Sequence, residues 1–190
     1  MINSSNVNFK ASLVSKTTVL KRAENSFKTI PQEASFIKFS LNNSYDRKAL
    51  KDIKQSWQHP FAESMYFDFV DSLKHIEEGN IFALTTQDKG FKNVDPEKVL
   101  GLVEVLPNGK TGQGIFLDYI LKAPKNIQAK MGDFCKIGET MLNNLKNFYK
   151  GEKILLFSLS DDSIQEFYRR NGFKQQEIGS NLFIFRPTSK

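Results

Sequence analysis

The feature that most restricts how this chain can fold is a change of hydrophobic period at Gly79. Before it, apolar residues recur at helical spacing. Ala49, Leu50, Ile53 and Trp57 form one stripe that Pro60 stops, and Met65, Phe69, Leu73 and Ile76 form a second. After it the period is that of strands, at 81–85, 99–106 and 115–121. Asp88-Lys89-Gly90 and Pro107-Asn108-Gly109-Lys110 join these runs with hairpin chemistry. Two helices followed by an antiparallel three-stranded meander are expected.

The flanking segments extend the pattern. Residues 35–41 alternate apolar with Lys38 and Ser40 as a first strand, and Asn42-Asn43-Ser44 supplies a turn and a helix N-cap. Ile137, Met141, Leu142, Leu145, Phe148 and Tyr149 mark an amphipathic helix ending near Gly151. Residues 154–157 are continuously apolar, the form of a strand buried on both faces. Ser160-Asp161-Asp162-Ser163 opens a short helix that Asn171-Gly172 stops, and 182–185 closes as a strand. The order β-α-α-β-β-β-α-β-α-β-β describes an α/β domain: a mixed, mostly antiparallel twisted sheet flanked by helices. Residues 1–33 are polar and basic and read as a flexible lead-in, although Phe9, Ala11 and Leu13 alternate briefly and could add a strand; the domain is placed at 34–190.

Composition removes several functional classes. The chain's 190 residues fit one domain. No run approaches the roughly 20 apolar residues of a membrane-spanning helix, so no membrane partner is expected. Cys135 is the only cysteine and there are two histidines, which excludes an intrachain disulfide and leaves a Cys/His metal site without ligands. A reducing cytoplasm is the expected compartment. The net charge of +6 is moderate. It suits a solvated lysine-rich surface, and no nucleic-acid motif accompanies it.

Three local features narrow the fold further: the strand end Lys122-Ala123-Pro124, the helix opening Gly138-Glu139-Thr140-Met141-Leu142, and Phe167-Tyr168-Arg169-Arg170-Asn171-Gly172-Phe173. Over residues 35–187 the sequence resembles the GNAT superfamily of acetyl-CoA-dependent N-acyltransferases, whose last conserved helix ends in Phe/Leu-Tyr-x-x-x-Gly-Phe. The resemblance implies acetyl-CoA as acyl donor and an amine-bearing acceptor attacking it directly in a ternary complex; a homodimer is left open. It implies that Lys136, Ile137, Gly138, Glu139 and Thr140 meet the coenzyme pyrophosphate and that backbone groups of Leu121 and Lys122 hold the pantetheine arm. Asp161 falls where many members carry an Asn near the pantetheine. Tyr168 falls where a tyrosine protonates the departing thiolate.

The amine must lose a proton before it attacks, so a carboxylate on the central strands is the expected base. Asp118 and Glu104 are the candidates. Strict alternation would put Asp118 on a face with Phe116 and Ile120, and Glu104 with Leu102 and Leu106. Trp57, His59 and Phe61 flank the helix break where the family builds its acceptor pocket, with Trp57 continuing a core stripe.

The chain departs from the family's Gln/Arg-x-x-Gly-x-Gly/Ala signature. With Gly138 as the last position, Asp133 and Lys136 stand at the first and fourth; with Gly132 last, Ile127 and Lys130 occupy signature positions. These departures motivate a competing reading as a binding or scaffold domain without coenzyme affinity. A basic nucleic-acid or ribosome-associated module is the third reading.

Overall fold

A computed structural model describes residues 11–23, 28–57, 80–107, 114–128 and 133–187. Its strands are β1 (Ser12–Arg22), β2 (Thr29–Lys38), β3 (Asn80–Thr85), β4 (Val99–Pro107), β5 (Ile115–Lys122), β6 (Phe134–Cys135), β7 (Ile154–Phe157), β8 (Lys174–Gln175) and β9 (Leu182–Phe185). Its helices are α1 (Ser44–Ser56), the single turn α2 (Lys125–Gln128), α3 (Ile137–Phe148) and α4 (Asp162–Arg170). The strands form one sheet in the order β6-β1-β2-β3-β4-β5-β7-β9-β8, with β5 and β7 parallel and the other pairs antiparallel. The expected meander is therefore β3-β4-β5. The second expected helix, around Met65 to Ile76, lies outside the described residues.

The sheet begins earlier than the sequence pattern indicated. Residues 12–22, read as part of a flexible lead-in, form β1, which pairs with β2 from Ser12↔Lys38 to Arg22↔Thr29. The likeness of this segment to a linker has a physical cause. Val19 is its only fully buried strand residue, Leu13 is 45% exposed, and a bulge between Leu13 and Ser15 breaks the period. Strand β7 also differs from expectation: Ile154 and Leu156 are buried, but Phe157 is 67% exposed, so only one face is covered.

The two faces carry separate cores. Helix α1 starts at Asn43, whose side chain accepts from the Tyr45 amide (2.8 Å). It buries Ala49, Leu50 and Ile53 with Trp57 against Ile37, Phe39, Ile81 and Leu102. Trp57 is thus a core residue. Buried Asp46 ties this face together, accepting from the Ala11 amide (3.0 Å) and the Ser40 amide (2.7 Å).

Helix α3 packs on the opposite face. Met141, Leu142 and Leu145 are fully buried among Phe36, Phe82, Leu100 and Val103, each such side chain contributing about 1.5–3 kcal/mol. Asn144 fixes the helix along β1, accepting from Ser15 Oγ (2.6 Å) and donating to Thr17 Oγ1 (3.2 Å) and the Thr140 carbonyl (2.8 Å).

Candidate functional site

The site originates in a defect of the sheet. Strands β5 and β7 pair only at Ile115↔Ile154 and Phe116↔Leu155. Beyond Phe116, β5 keeps its β4 partner as far as Lys122, while β7 ends at Phe157 and the next amide, Ser158, donates to Asn181 (2.8 Å). The β7-facing edge of β5 from Leu117 onward has no strand beside it among the described residues. A groove of about 1110 Å³ opens there, with Ile120, Leu121 and Lys122 on one wall, Lys136 to Glu139 at one end, and Phe167 and Tyr168 opposite.

The α3 end of the groove offers amide donors. Ile137, Gly138 and Glu139 open the helix, the first intrahelical bond being Thr140 N–H to the Lys136 carbonyl (2.9 Å), and no side chain caps it. Lys136 is left-handed (φ 57°, ψ 21°), the only non-glycine with positive φ among the described residues. A glycine would adopt that backbone without strain. Residues 129–132, needed for the Gly132 register, lie outside the described residues. Lys136 Nζ stands 3.7 Å from Glu139 Oε2 in an exposed pair. Gly138 leaves room for α4: a Cβ there would lie 3.0 Å from Phe167 Cζ.

The opposite wall is aromatic. Tyr168 is 8% exposed and packs edge-on against Phe167 and Phe173, with ring centroids 5.2 and 5.8 Å away. Burial pushes its hydroxyl up to about 12, so it remains a phenol and a donor at neutral pH. Helix α4 is set by Asp161, whose carboxylate accepts from the Ile164 amide (3.0 Å) and from Ser163 Oγ. The Ser163 hydroxyl, then that amide, hold this carboxyl below its ordinary value. Asp161 is therefore engaged as a cap, exposed, and not part of the groove lining. Thr140 is likewise outside the lining, its backbone carrying the helix bonds just described.

Glu104 lies on the α1 face, across from Tyr119. Strict alternation fails on β5, because Glu104 pairs with Tyr119 and Val105 with Leu117, leaving Asp118 as the extra residue of a bulge. Leu117 and Ile120 consequently share one core, while Tyr119 and Leu121 join the other. Asp118 is half-buried, and desolvation raises its pKa. Glu104 is 2% exposed and its register partner is Tyr119, beside the bulge. Neither acid lines the groove. They stand on neighbouring strands, β4 and β5.

Sequence reasoning passed over Asn126 and Phe167 as groove residues; Cys135, which the sequence places near the opening of α3, lies half-buried in the lining. Asn126 carries no motif, and only its burial reveals it. His59, Phe61 and His75 lie outside the described residues. Among those described, no group of three or more His, Cys, Asp or Glu side chains is placed to hold a metal, and no helix is long and apolar enough to cross a membrane.

No family model matches the sequence, and neither does any curated protein sequence. Solved structures do match. A GNAT-family protein from Desulfovibrio desulfuricans superposes with a TM-score of 0.53 at 13% identity, covering 80% of this chain and 98% of its own. A structure of histone acetyltransferase HPA2 and related acetyltransferase from Corynebacterium glutamicum matches at 0.42 and 16%, covering 69% and 77%. The NatC complex bound to Gag peptide and CoA matches at 0.43 and 11%, covering 82% and 99%. The first of these likenesses establishes that the chain has the GNAT fold, the mixed sheet with parted central strands described above.

Proposed function

We propose that the chain is an acyltransferase that moves an acetyl or other short acyl group from coenzyme A to an amine in a ternary complex. The observation that carries the reading is the groove itself: an open strand edge, a helix N-terminus with free amides and a protonated tyrosine all face one cavity. An extended, amide-bearing thioester with a polyanionic end matches that sequence of groups.

In this reading the backbone of Leu121 and Lys122 pairs with the pantetheine arm. The amides of Ile137, Gly138 and Glu139, with the Lys136 ammonium, meet the pyrophosphate. The neutral amine attacks the thioester carbonyl, its surplus proton passing to Asp118 or Glu104, directly or through water. Collapse of the tetrahedral adduct breaks the C–S bond, and the sulfur's new electron pair takes a hydrogen bond or proton from Tyr168. The products are an amide and free coenzyme A. Asp118 ranks first as base, because desolvation moves its pKa toward the working range of a general base.

A second reading, a scaffold that retains the groove without coenzyme, is favoured by the Lys136–Glu139 pair, which places a carboxylate at the anion-binding end. Thermal-shift titration with acetyl-CoA separates the two. Ligand at 100 times its dissociation constant stabilises by about 2.7 kcal/mol, and no shift at millimolar coenzyme defeats the enzyme reading. A coenzyme A release assay across small amines, polyamines and peptide N-termini then identifies the acceptor class.

A further inference from the structure

Helix α4 is joined to α3 at two places. At the opening of α3, Gly138 lies under Phe167, the residue before Tyr168. About two turns further on, Lys146 reaches across to the end of α4 and donates to the carbonyl of its C-cap residue, Asn171. A carbonyl at a helix end has no intrahelical partner, and a lysine supplies one. The same ammonium stands over the rings of Phe173 and Phe185, 5.4 and 4.7 Å from their centroids, where the ring faces attract a cation. The acyl-transfer scheme gives this half-buried lysine of the groove lining no task.

What Lys146 ties down is the segment that carries Tyr168. The Asn171 side chain donates to the Phe167 carbonyl (2.8 Å), and its amide to the Phe167 and Tyr168 carbonyls (3.2 and 3.1 Å). The Phe173 amide donates to the Tyr168 carbonyl (3.1 Å), and the Phe173 ring, one of the two under the ammonium, packs edge-on against the Tyr168 ring (5.8 Å). Lys146 therefore reaches the tyrosine by two routes, backbone through Asn171 and ring through Phe173. Proton transfer to a thiolate needs the hydroxyl within hydrogen-bond reach, so a small shift of α4 against α3 is costly to turnover.

We infer that Lys146 is a positioning residue: by binding the end of α4 to α3 through the Asn171 carbonyl and the Phe173 and Phe185 rings, it holds the Tyr168 hydroxyl where the departing thiolate forms. This rests on the acyl-transfer reading above.

The test is a double-mutant cycle on the full chain. Lys146→Met keeps the length of the side chain and removes the charge and the donors, whereas Lys146→Arg keeps both; each is made alone and with Tyr168→Phe. Steady-state turnover of acetyl-CoA with an amine acceptor is measured, together with calorimetric affinity for coenzyme A and 3′-dephospho-coenzyme A. Lys146→Met should lower kcat about 10-fold and leave both affinities within about twofold, and Lys146→Arg should restore most of the loss. In the Tyr168→Phe background Lys146→Met should cost nothing further, because the hydroxyl it would misplace is gone. An equal loss in both backgrounds marks a purely structural lysine and overturns the inference, as does unchanged turnover in the single variant. Weakened binding of coenzyme A but not of the dephospho form also overturns it, by making Lys146 a phosphate contact. If Lys146→Met does not fold, Lys146→Gln, which removes the charge and keeps a donor, supplies the same cycle. A wild type without turnover, or one that Tyr168→Phe does not slow, overturns the role given to Tyr168 and this inference together, a result distinct from equal losses in the two backgrounds.

Discussion

Lys136 gives the sharpest test of how the α3 end of the groove is built. Its left-handed backbone costs an L-residue about 1–2 kcal/mol, which glycine does not incur. Glycine in turn loses about 0.5–1 kcal/mol through the freedom of the unfolded chain. Alanine keeps the strain. Both Lys136→Gly and Lys136→Ala remove the ammonium and its exposed pair with Glu139, so the difference between them isolates the backbone. The glycine variant should be the more stable by about 0.5–1 kcal/mol, or roughly 1–4 °C in a domain of this size. At an ordinary helical position the order is reversed, with glycine about 1 kcal/mol worse than alanine, so the sign decides. Differential scanning calorimetry at neutral pH measures it. Coenzyme titration on the same variants reads the charge: an exposed ammonium is worth up to about 1 kcal/mol, or roughly fivefold in affinity, shrinking as salt is added. If Lys136→Gly melts below Lys136→Ala, the left-handed cap is not present in solution.

Tyr168→Phe should leave coenzyme affinity and folding nearly unchanged while lowering turnover by about 10²–10⁴-fold; a loss under about threefold would assign the ring to packing alone. Gly114 has φ +102° and a Cβ there would lie 2.2 Å from the Lys153 carbonyl oxygen, at the junction where β5 first meets β7. Gly114→Ala should therefore destabilise by roughly 2–5 kcal/mol, visible as a lowered urea midpoint, and an unchanged midpoint would contradict that junction. Asp118 has a folded pKa raised above its ordinary 3.8 by desolvation, so the folded state binds the proton more tightly than the unfolded one. Its contribution is present at low pH and is lost as pH rises through the folded value. Asp118→Asn should thus flatten the decline of stability above about pH 4, where unfolded aspartates ionise, melt at or above the wild type at pH 7, and lose turnover if Asp118 is the base. A variant that melts lower at pH 7 would refute the desolvation reading.

Elements with a buried face were legible from sequence, and features made by the backbone were not. The 99–106 and 115–121 runs matched β4 and β5 to within a residue, and 154–157 matched β7, because apolar side chains there meet a core. β1 escaped because an outlying strand with Lys16, Thr18 and Lys21 exposed needs few apolar residues. The bulge at Asp118 escaped for a different reason: a slipped register leaves no trace in composition, yet it breaks the alternation along β5. Leu121, Lys122 and the α3 amides were placed by family resemblance, since backbone donors impose nothing on side-chain identity. Lys136 shows the reverse case, a left-handed backbone at a residue that is not a glycine. Asp161 was misleading because an acid at a helix start satisfies the cap as well as any ligand would.

The groove is a property of the chain and does not wait for a ligand to open it. The bulge at Asp118 adds local twist to β5 while its pairing with β4 continues to Lys122. β7 is only four residues long, and Ser158 directs its amide to Asn181. One strand is thus turned and the other stopped, and the gap is walled by α3 and α4, whose close approach depends on Gly138 lying under Phe167. A cavity left by poor packing would be lined by apolar side chains and would gain stability by collapsing. This one combines apolar walls, Ile120, Phe134 and Phe167 among them, with an open strand edge and helix amides, and collapse offers those backbone groups no partner. A polar ligand with amides and an anionic end satisfies them, and for that reason the enzyme reading explains more of the structure than the scaffold reading does.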